Sequence, residues 1–480
     1  MASYKSILKS ENFVAGKWQA TGNGSLHSVL DKYTGSLIAK IPMASSDQME
    51  EAIIASEKAF EEMKSWSAGK RSEMLQKLVA LLKENQEAFV YLLIHEAGKP
   101  KSYSENEISR CVTTLSTAVA ESIRFTGEMV PIDYDAGAGK TAFTKRFPIG
   151  PIACITPFNF PLNLLLHKVA PALAVGCSVV VKPAPQSPLC TLAFAALMEQ
   201  AGYPAGAMNA LVCDIPEAEK MVKDDRLKML SFTGSDAVGW YLKGICGKKK
   251  VALELGGNAS VILDSSANIK AIAGLIAKGA FLYAGQICIS TQRIIATSDV
   301  FNDFKALLIE EIEKLKPGDP SDDKTLVGPI IDAGHLKRID ESVQEAVSEG
   351  AEVLTGAQIH SAENNTYYPT LLTNTKNTMK VCSAEVFGPV AVLEEAPSFE
   401  EAVKMTNDSD YGLQAGVFSN NFEHIRYAHE NLEVGGVIIN NIPGFRIDSM
   451  PYGGIKDSGL GREGIKYAME EMTEGRLLVY

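Results

Sequence analysis

A cysteine in the stretch FLYAGQICISTQR, residues 281–293, is the residue of this chain best suited to covalent chemistry. Cys288 follows an apolar, helix-like run and the small residue Gly285, so there is little steric bulk near its backbone. Its thiol and its backbone amide could therefore both face a ligand. A thiolate is a strong nucleophile, and its attack on a carbonyl carbon would give a covalent intermediate. The alternative is a buried structural cysteine, which is the usual state of a free cysteine.

A carboxylate at the end of an apolar strand is a second candidate. Glu254 lies in the stretch LELGGN, where the predicted strand ends and two glycines follow. A partly desolvated carboxylate beside a cleft has a raised pKa, which suits a general base. The alternative is a strand-end glutamate that faces solvent.

An asparagine between two prolines could stabilise negative charge. Asn159 lies between Pro157 and Pro161, just after the predicted buried strand PIACIT. Its amide would be a fixed donor to an oxyanion, and the backbone N–H of Cys288 would be a second donor. The alternative is an asparagine that forms a turn.

Two further strand ends could bind a phosphate-containing cofactor. Lys182 ends the predicted strand SVVVK, where its ammonium could reach hydroxyls or phosphates. Phe232–Ser235 ends another strand and begins a helix, so backbone amides and the Ser235 hydroxyl could contact a pyrophosphate. The usual dinucleotide fingerprint GxGxxG is absent here, so the phosphate signal alone is weak.

The elements that must position these residues alternate between strand and helix. The predicted buried strands of a first set are residues 151–156, 178–182, 210–213, 228–232 and 251–255. A second set begins near Gly257 with strand 260–264, helix 269–284, strand 293–296 and helix 300–316. This alternation predicts an α/β fold with parallel, helix-covered sheets and with ligands at the carboxyl ends of the strands.

The end of the chain predicts one more strand. Residues 128–147 read as two strands around a Gly-rich turn, and Gly475–Tyr480 as an apolar strand with no partner nearby in sequence. An uncovered apolar edge favours pairing with another strand. We expect the tail to pair with the 128–147 segment, which a neighbouring subunit could supply.

Composition excludes several classes of protein. The 480 residues allow two or three domains, and 46% hydrophobic with 22% charged residues is ordinary for a globular chain. A net charge of -12 disfavours nucleic acid and membrane surfaces as partners. Without a recognisable signal peptide or apolar span, we expect a cytoplasmic location. The cysteines form no CxxC pair and the histidines no HExxH, so we expect no metal site.

Taken together and in order, the motifs resemble the NAD(P)-dependent aldehyde dehydrogenase family. The likeness extends from about the first helix to the last strand, and the complete ordered set is highly specific. The motifs are Pro157–Asn159, Lys182–Ala184, Phe232–Ser235, Glu254–Gly257, Gly285–Cys288, Glu385–Pro389, Pro451–Gly454 and Ser458–Glu463.

The resemblance implies an aldehyde dehydrogenase-like α/β fold with two parallel-sheet domains and a small β oligomerisation ribbon. Residues 1–122 and 145–256 would form the cofactor-binding domain, and residues 257–454 the catalytic domain. Residues 123–144 and 455–480 would form the oligomerisation ribbon and the C-terminal tail. The active site would lie in the cleft between the large domains, and the chain would form a homodimer or a homotetramer.

The resemblance also implies a two-stage reaction with NAD or NADP as the cofactor. Cys288 would attack a small aldehyde to form a thiohemiacetal, and Asn159 with the Cys288 amide would hold its oxyanion. After hydride transfer, Glu254 would activate water to hydrolyse the thioester, and it could also deprotonate Cys288. Lys168 and Glu463 match family positions proposed to relay protons from Glu254.

The cofactor contacts follow from the same resemblance. Lys182 would bind the adenosine ribose, Ser235 the pyrophosphate, and Glu385 with Phe387 the nicotinamide ribose and ring. The other implied contacts are Thr156, Pro157, Phe158, Ala184, Pro185, Gly234, Leu255 and Gly256. Family members that use only NAD commonly have a glutamate at the position of Pro185. Because this chain lacks that negative charge, it would not repel the 2′-phosphate of NADP, so both cofactors stay possible.

Three arginines could bind the tail of the substrate. Arg110 lies on a helix that corresponds to one lining the family's substrate tunnel, and Arg446 lies in the loop that usually closes it. Arg293 follows Cys288 by five residues. Guanidinium groups hold carboxylate, phosphonate or sulfonate groups in a fixed orientation. The alternative is that each arginine pairs with an acid of the scaffold such as Asp448, and for Arg293 this structural alternative is favoured.

The pattern FRIDSMPYGG, together with Arg110, resembles the group that contains lactaldehyde and phosphonoacetaldehyde dehydrogenases. We therefore expect a short aldehyde with a polar or anionic tail. A CoA-acylating enzyme of the same superfamily is an alternative, but Glu254, as a water-activating base, would compete with acyl transfer to a thiol. A catalytically silent structural protein on this scaffold would have no need of Cys288, Glu254 and Asn159 together.

Overall fold

The computed structural model describes residues 7–480, and most of its strands belong to two large sheets. The strands, in chain order, are β1 (Asn12–Val14), β2 (Lys17–Gln19), β3 (Leu26–Leu30), β4 (Leu37–Pro42), β5 (Met129–Val130), β6 (Ala142–Pro148), β7 (Ile152–Ile155), β8 (Val179–Lys182), β9 (Met208–Ala210), β10 (Met229–Thr233), β11 (Lys250–Glu254), β12 (Ser260–Leu263), β13 (Arg293–Thr297), β14 (Glu352–Thr355), β15 (Ile359–Ser361), β16 (Thr366–Tyr367), β17 (Thr370–Thr373), β18 (Val390–Ala396), β19 (Tyr411–Gly412), β20 (Gln414–Phe418), β21 (Gly436–Ile439), β22 (Ile455–Lys456), β23 (Gly459–Leu460) and β24 (Thr473–Val479).

Helices connect many of these strands. They are α1 (Ser46–Met63), α2 (Ala68–Glu84), α3 (Gln86–Ala97), α4 (Lys101–Arg124), α5 (Asn163–Val175), α6 (Leu189–Ala201), α7 (Ile215–Lys223), α8 (Asp236–Ile245), α9 (Ile269–Phe281), α10 (Ser298–Glu313), α11 (Ala333–Ser348), α12 (Lys380–Ser383), α13 (Phe399–Asn407), α14 (Phe422–Asn431) and α15 (Ile465–Glu471). Within residues 7–480, no helix combines the length and the apolar character needed to cross a membrane.

The first sheet has the strand order β2-β1-β9-β8-β7-β10-β11-β23 and is parallel from β9 to β11. Its central strands are buried on both faces, because alternate side chains point to opposite sides of a strand. In β7, Ile152 and Cys154 join one apolar cluster, whereas Ala153 and Ile155 join another. This double burial explains why the sequence of β7 is an uninterrupted apolar run.

The second sheet has the order β14-β17-β18-β13-β12-β20-β21 and is parallel from β17 to β21. Its strands alternate in the same way, since Val261 and Leu263 join one cluster and Ile262 another. The predicted α/β class with two largely parallel sheets is therefore confirmed.

A separate three-stranded sheet forms the predicted ribbon, in the order β24-β6-β5. The tail strand β24 pairs antiparallel with β6, from Thr473 opposite Pro148 to Val479 opposite Ala142. The predicted pairing of tail and ribbon is confirmed, but both strands belong to one chain, so no neighbouring subunit is needed for it. β23, which lies inside the predicted tail segment, pairs instead with β11 of the first sheet.

Two predicted elements end earlier than expected. The third strand of the first set covers Met208–Ala210 rather than 210–213. The helix predicted over 269–284 ends at Phe281, because Tyr283 and Ala284 adopt left-handed backbone angles that no α-helix accommodates. This early end creates the turn that leads to Cys288.

The carboxyl ends of the first sheet's strands meet at one edge. In the parallel register, Thr233 at the end of β10 lies beside Glu254 at the end of β11. On the other side of β10, Ile155 of β7 pairs with Lys182 of β8. The residues that follow these strands therefore gather along a single line, as ligand-binding residues of open parallel sheets do.

A buried ion pair holds the chain between this edge and helix α5. Lys99 and Glu107 contact each other through their charged groups, and both side chains are fully buried. Glu107 also accepts hydrogen bonds from the backbone amides of Leu162 and Asn163, at 3.2 and 3.0 Å, at the start of α5. Lys99 Nζ lies 3.6 Å from the centre of the Phe160 ring. The pair thus fixes the backbone that follows Asn159.

We predict that Glu107→Gln lowers the free energy of unfolding by about 3–5 kcal/mol, because it leaves the buried Lys99 charge without its partner. Urea unfolding followed by circular dichroism measures this loss. Glu105→Gln is the matched control, since Glu105 is exposed on the same helix, and we expect it to change stability by less than about 0.5 kcal/mol. Equal effects of the two substitutions would show that the buried pair is not what stabilises this region.

Candidate active site

Cys288 lies in a short loop between α9 and β13. A 3₁₀ turn over Leu282–Gly285 leads into it, and Tyr283 and Ala284 have positive φ angles of 54° and 52°. Such angles cost about 1–3 kcal/mol in a non-glycine residue, so surrounding contacts must hold them. The buried hydroxyl of Tyr283 donates a 2.8 Å hydrogen bond to the carbonyl oxygen of Ala97. Packing therefore enforces the turn that presents the thiol.

Gln286 and Asn159 hold the same loop from two sides. The side chain of Gln286 donates to the carbonyl oxygen of Pro329 and accepts from the amide of Ile331, both at 3.0 Å. Its backbone carbonyl accepts a 2.9 Å hydrogen bond from Asn159 Nδ2. A carboxamide nitrogen carries two N–H donors, so one remains for an oxyanion beside Cys288. Asn159 thus lies next to the cysteine loop, as its predicted role requires.

Two glycines let this loop approach its neighbours. A Cβ at Gly257 would lie 2.4 Å from the carbonyl oxygen of Cys288. A Cβ at Gly285, which has a φ of 67°, would lie 2.1 Å from the carbonyl oxygen of Gly388. A side chain at Gly257 would push the cysteine loop away from the segment that follows β11, and one at Gly285 would push it away from the segment that precedes β18.

Among the cysteines of residues 7–480, Cys288 alone is partly exposed, and the others are buried. Its Sγ lies 3.1 Å from the hydroxyl oxygen of Tyr452. The protein packed around the thiol desolvates it and raises the pKa of Cys288 to about 12, against the lowering effects of the Tyr452 hydrogen bond and the Arg446 charge. The thiol therefore keeps its proton near neutral pH and needs a base in order to react.

Glu254 is the candidate for such a base. It ends β11, is 3% exposed, and neither of its carboxylate oxygens has a hydrogen-bond partner among residues 7–480. Burial and then the charge of Glu463 raise the pKa of Glu254 well above its usual range. A carboxylate with a raised pKa holds an accepted proton more firmly, which suits proton removal from a thiol or a water molecule.

A second buried carboxylate, Glu463, has the opposite character. Its oxygens accept hydrogen bonds from Lys168 Nζ at 3.2 Å and from Arg446 Nη2 at 3.0 Å. Burial acts to raise the pKa of Glu463, but Lys168, His167 and Arg446 outweigh burial and bring it to about 2. Glu463 therefore stays charged while Glu254 readily holds a proton. Two acids with separated pKa values are typical of sites that transfer protons.

Arg446 contacts several parts of this site at once. Besides Glu463, its Nη2 lies 3.3 Å from His167 Nε2, and its Cζ lies 3.6 Å from the centre of the Tyr452 ring. The side chain is 6% exposed, and within residues 7–480 its Nε has no hydrogen-bond partner. A buried N–H without a partner is costly, so this atom is an available donor for an anionic ligand.

Arg110 is tied to the same network through Asp448. Its Nη2 and Nε donate to the two oxygens of Asp448 at 2.6 and 3.3 Å. One of these oxygens also lies 2.9 Å from His167 Nε2. Although burial acts to raise it, His167 and Arg110 hold the pKa of Asp448 well below its usual range. The Arg110 side chain remains 22% exposed, so its guanidinium can also meet a ligand.

Arg293 does not join this group. It is 1% exposed on β13, and its guanidinium donates to both oxygens of Glu394, at 2.9 and 3.1 Å. Its Nη1 donates to the carbonyl oxygen of Met405 at 2.8 Å. These contacts give Arg293 a structural role within the second sheet, which corrects its place among the candidate substrate ligands.

The predicted cofactor residues line the carboxyl edge of the first sheet. They are Thr156, Pro157 and Phe158 after β7, Lys182, Ala184 and Pro185 at the end of β8, Gly234 and Ser235 after β10, and Leu255 and Gly256 after β11. The hydroxyls of Thr156 and Thr233 are buried without a hydrogen-bond partner in the described part of the chain. Ser235 is the N-cap of α8, yet its side chain makes no capping bond. These unused polar groups fit a dinucleotide with phosphates at a helix N-terminus.

Glu385 and Phe387 reach this edge from the segment that precedes β18 of the second sheet. The amide of Gly257 donates a 3.0 Å hydrogen bond to Glu385, and burial raises the pKa of that carboxyl to about 8. The Phe387 ring lies edge-on to the Phe158 ring, with 5.7 Å between centres. The segment that precedes β18 of the second sheet therefore contacts residues that follow β7 and β11 of the first sheet.

The site includes three residues to which the sequence analysis gave no chemical role: Tyr452, His167 and, beyond its mention as a possible ion-pair acid, Asp448. Tyr452 lies within the Pro451–Gly454 motif, where a hydroxyl in a glycine-rich turn is a signal that could have been noticed. His167 and Asp448 are 281 positions apart, and only the fold brings them together.

A family model described as the aldehyde dehydrogenase family matches residues 18–477 of this chain. A 3-sulfolactaldehyde dehydrogenase of Priestia aryabhattai is 41% identical over 481 aligned positions, covering 100% of this chain and 99% of the relative.

Solved structures agree with this match. Aldehyde dehydrogenase 21 from Physcomitrella patens, in complex with its reaction product succinate, superposes with a TM-score of 0.95 at 39% identity and covers 98% of both chains. A betaine aldehyde dehydrogenase variant from Staphylococcus aureus, in complex with NAD+, superposes with a TM-score of 0.94 at 28% identity, over 98% of this chain and 96% of the other.

Proposed function

The chain belongs to the aldehyde dehydrogenase family, and we propose that it oxidises a short aldehyde with an anionic tail to the carboxylate. The observation that carries this choice is the buried Arg446, whose Nε has no partner within residues 7–480 and whose guanidinium lies over Tyr452, the neighbour of Cys288. Two relatives bear on the tail: one is named for 3-sulfolactaldehyde, and the other was solved with succinate. 3-Sulfolactaldehyde carries a sulfonate at the end away from its aldehyde, and succinate carries a carboxylate at each end, so each has an anionic group besides the carbon that is oxidised.

Arg446 and Arg110 would hold that anionic tail together. Arg446 is nearly buried, and Arg110 keeps part of its guanidinium exposed while Asp448 orients it. A sulfonate, phosphonate or carboxylate accepts hydrogen bonds from two guanidinium groups in a fixed geometry. A neutral aldehyde such as lactaldehyde would leave these donors without an acceptor.

We predict that Arg446→Met and Arg110→Met each lower the ratio of kcat/KM for 3-sulfolactaldehyde to kcat/KM for lactaldehyde by about 10–100-fold, because each removes charged hydrogen bonds to the sulfonate. The two aldehydes differ only in the sulfonate, so the neutral substrate is an internal control for damage to the catalytic groups. A ratio that stays at the wild-type value in both variants would contradict the anionic tail.

In the first stage, Glu254 would take the proton of Cys288, and the thiolate would attack the aldehyde carbon. The resulting oxyanion would accept hydrogen bonds from the free N–H of Asn159 and from the Cys288 amide. A bound nicotinamide dinucleotide supplies the chemistry of hydride acceptance. Lys182, Ser235 and Glu385 would hold this cofactor, NAD or NADP, together with the other predicted cofactor residues at the ends of β7, β8, β10 and β11.

In the second stage, Glu254 would remove a proton from the water that attacks the Cys288 thioester. The proton would pass toward Glu463 and Lys168, which contact each other within the buried network. The unpartnered carboxylate of Glu254 supports this hydrolytic route. It argues against the CoA-acylating alternative, in which water must not compete with the incoming thiol.

We predict that Glu254→Gln lowers steady-state turnover by about 100-fold or more, the usual contribution of a general base, while one equivalent of reduced nicotinamide still forms slowly per active site. Absorbance of the reduced nicotinamide measures this single equivalent, and Cys288→Ala, which should give none, is the control. Added CoA should not restore turnover. Full turnover of the variant, or acceleration by CoA, would refute hydrolysis through Glu254.

We also propose that the chain forms a homodimer or a homotetramer through the three-stranded ribbon. β24 is an edge strand of that sheet, and Leu477, Leu478 and Val479 are about half exposed along it. Exposed apolar edge strands favour pairing with another copy. Light scattering coupled to gel filtration should give at least twice the chain mass of 51.7 kDa, and a monomeric mass would rule out this proposal.

A cytoplasmic location is the final part of the proposal. It is supported by eight cysteines that are all unbridged, as reducing compartments favour. Recovery of the activity from a secreted or membrane fraction would contradict it.

A further inference from the structure

We propose that the Tyr452 hydroxyl is a catalytic group that donates a hydrogen bond to the Cys288 thiolate and holds its sulfur atom in place before attack. The inference rests on the proposed role of Cys288 as the nucleophile. It adds that the Tyr452 hydroxyl is the hydrogen-bond donor to the negatively charged sulfur.

The contact between the two side chains is short and shielded. Tyr452 is 4% exposed, and its hydroxyl oxygen lies 3.1 Å from Cys288 Sγ. Within residues 7–480 this is the one hydrogen bond of the Tyr452 hydroxyl. Hydrogen bonds to ionised groups are about twice as strong as those between neutral groups. The contact therefore becomes stronger when the thiol loses its proton.

The phenol is held rigidly, so its hydroxyl cannot turn away easily. The backbone of Tyr452 exchanges two hydrogen bonds with Glu463, at 3.0 and 2.7 Å. Its ring packs with Ile289 and Leu413, and the Arg446 guanidinium covers the ring face at 3.6 Å. The backbone of Tyr452 thus contacts the backbone of Glu463, and its side chain contacts the nucleophile.

Burial, more than any neighbouring charge, keeps the phenol protonated by raising its pKa. The groups that face it are Cys288, Arg446 and Glu254, and burial followed by the charge of Cys288 raises the pKa of Tyr452 well above its usual range. The groups that face the thiol are Tyr452, Glu385, Arg446 and Glu254. Glu254 accepts the proton of the thiol, whereas Tyr452 keeps its own proton and shares it with the sulfur. When the carbon–sulfur bond forms, the sulfur loses its negative charge and the phenol is released unchanged.

Tyr452→Phe tests this role, because it removes the hydroxyl and keeps the ring beneath Arg446. The measurement is the rate at which iodoacetamide alkylates Cys288 in the full-length protein, followed by mass spectrometry from about pH 7 to about 9.5. Wild-type alkylation should rise about tenfold per pH unit, since the thiol is mostly protonated throughout this range. In Tyr452→Phe, the lost hydrogen bond should reduce the thiolate fraction about tenfold or more. Because the more basic thiolate is more nucleophilic, the alkylation rate should recover about threefold of this loss.

We therefore expect Tyr452→Phe to be alkylated at least about threefold more slowly at every pH, with an unchanged slope, and to lose kcat/KM for the aldehyde by a similar factor. Tyr203→Phe is the matched control, since it removes a buried hydroxyl that has no partner within residues 7–480 and lies outside the active site. Melting curves followed by circular dichroism would establish that both variants are folded in the assay.

Alkylation of Tyr452→Phe at the wild-type rate would overturn the inference while leaving the nucleophile in place, provided that Cys288→Ala is inactive. If Cys288→Ala still oxidised the aldehyde, the proposed nucleophile would be wrong and the inference would fail with it. The two failures are therefore distinguishable.

Discussion

Two carboxylates, Glu254 and Glu463, are buried in the same site. Burying their charges costs free energy, and the contacts of the surrounding side chains follow from this cost. A buried negative charge must be neutralised by a proton or by a cation. Lys168 and Arg446 both contact Glu463, which stays charged, whereas neither contacts Glu254 by a hydrogen bond, and its pKa rises. Because the cations contact Glu463 and not Glu254, Glu463 is ionised at rest whereas Glu254 has the raised pKa of a base.

Arg446 links this electrostatic arrangement to the other functions of the site. It contacts Glu463 on one side and the Tyr452 ring on another, and it lies against His167, which Asp448 connects to Arg110. A ligand anion at Arg446 would therefore touch the same network that sets the basicity of Glu254. We infer that recognition of the substrate tail and activation of the nucleophile share one set of buried charges.

The α/β class and the two largely parallel sheets were predictable, because strand and helix patterns are local. The pairing of tail and ribbon was predictable for another reason, since an apolar strand without a nearby partner favours pairing with a remote strand. The gathering of Asn159, Glu254 and Cys288 was predicted from the family resemblance of the ordered motifs, because the local pattern around each residue alone also allowed a structural role. The left-handed turn at Tyr283 and Ala284 was not, because only contacts such as that with Ala97 make it favourable. The structural pairing of Arg293 with Glu394 and the contact of Tyr452 with Cys288 depend on distances between remote segments, which no periodicity encodes.

We propose that Arg446 serves both the buried carboxylate and the anionic tail of the substrate. A crystal structure of the protein with 3-sulfolactate, the product of the sulfonated aldehyde, tests it most directly. We expect a sulfonate oxygen within hydrogen-bond distance of Arg446 Nε, with the Arg446–Glu463 contact retained and Arg110 bound to the same sulfonate. A sulfonate bound elsewhere in the cleft, with Arg446 Nε still lacking a partner, would contradict it.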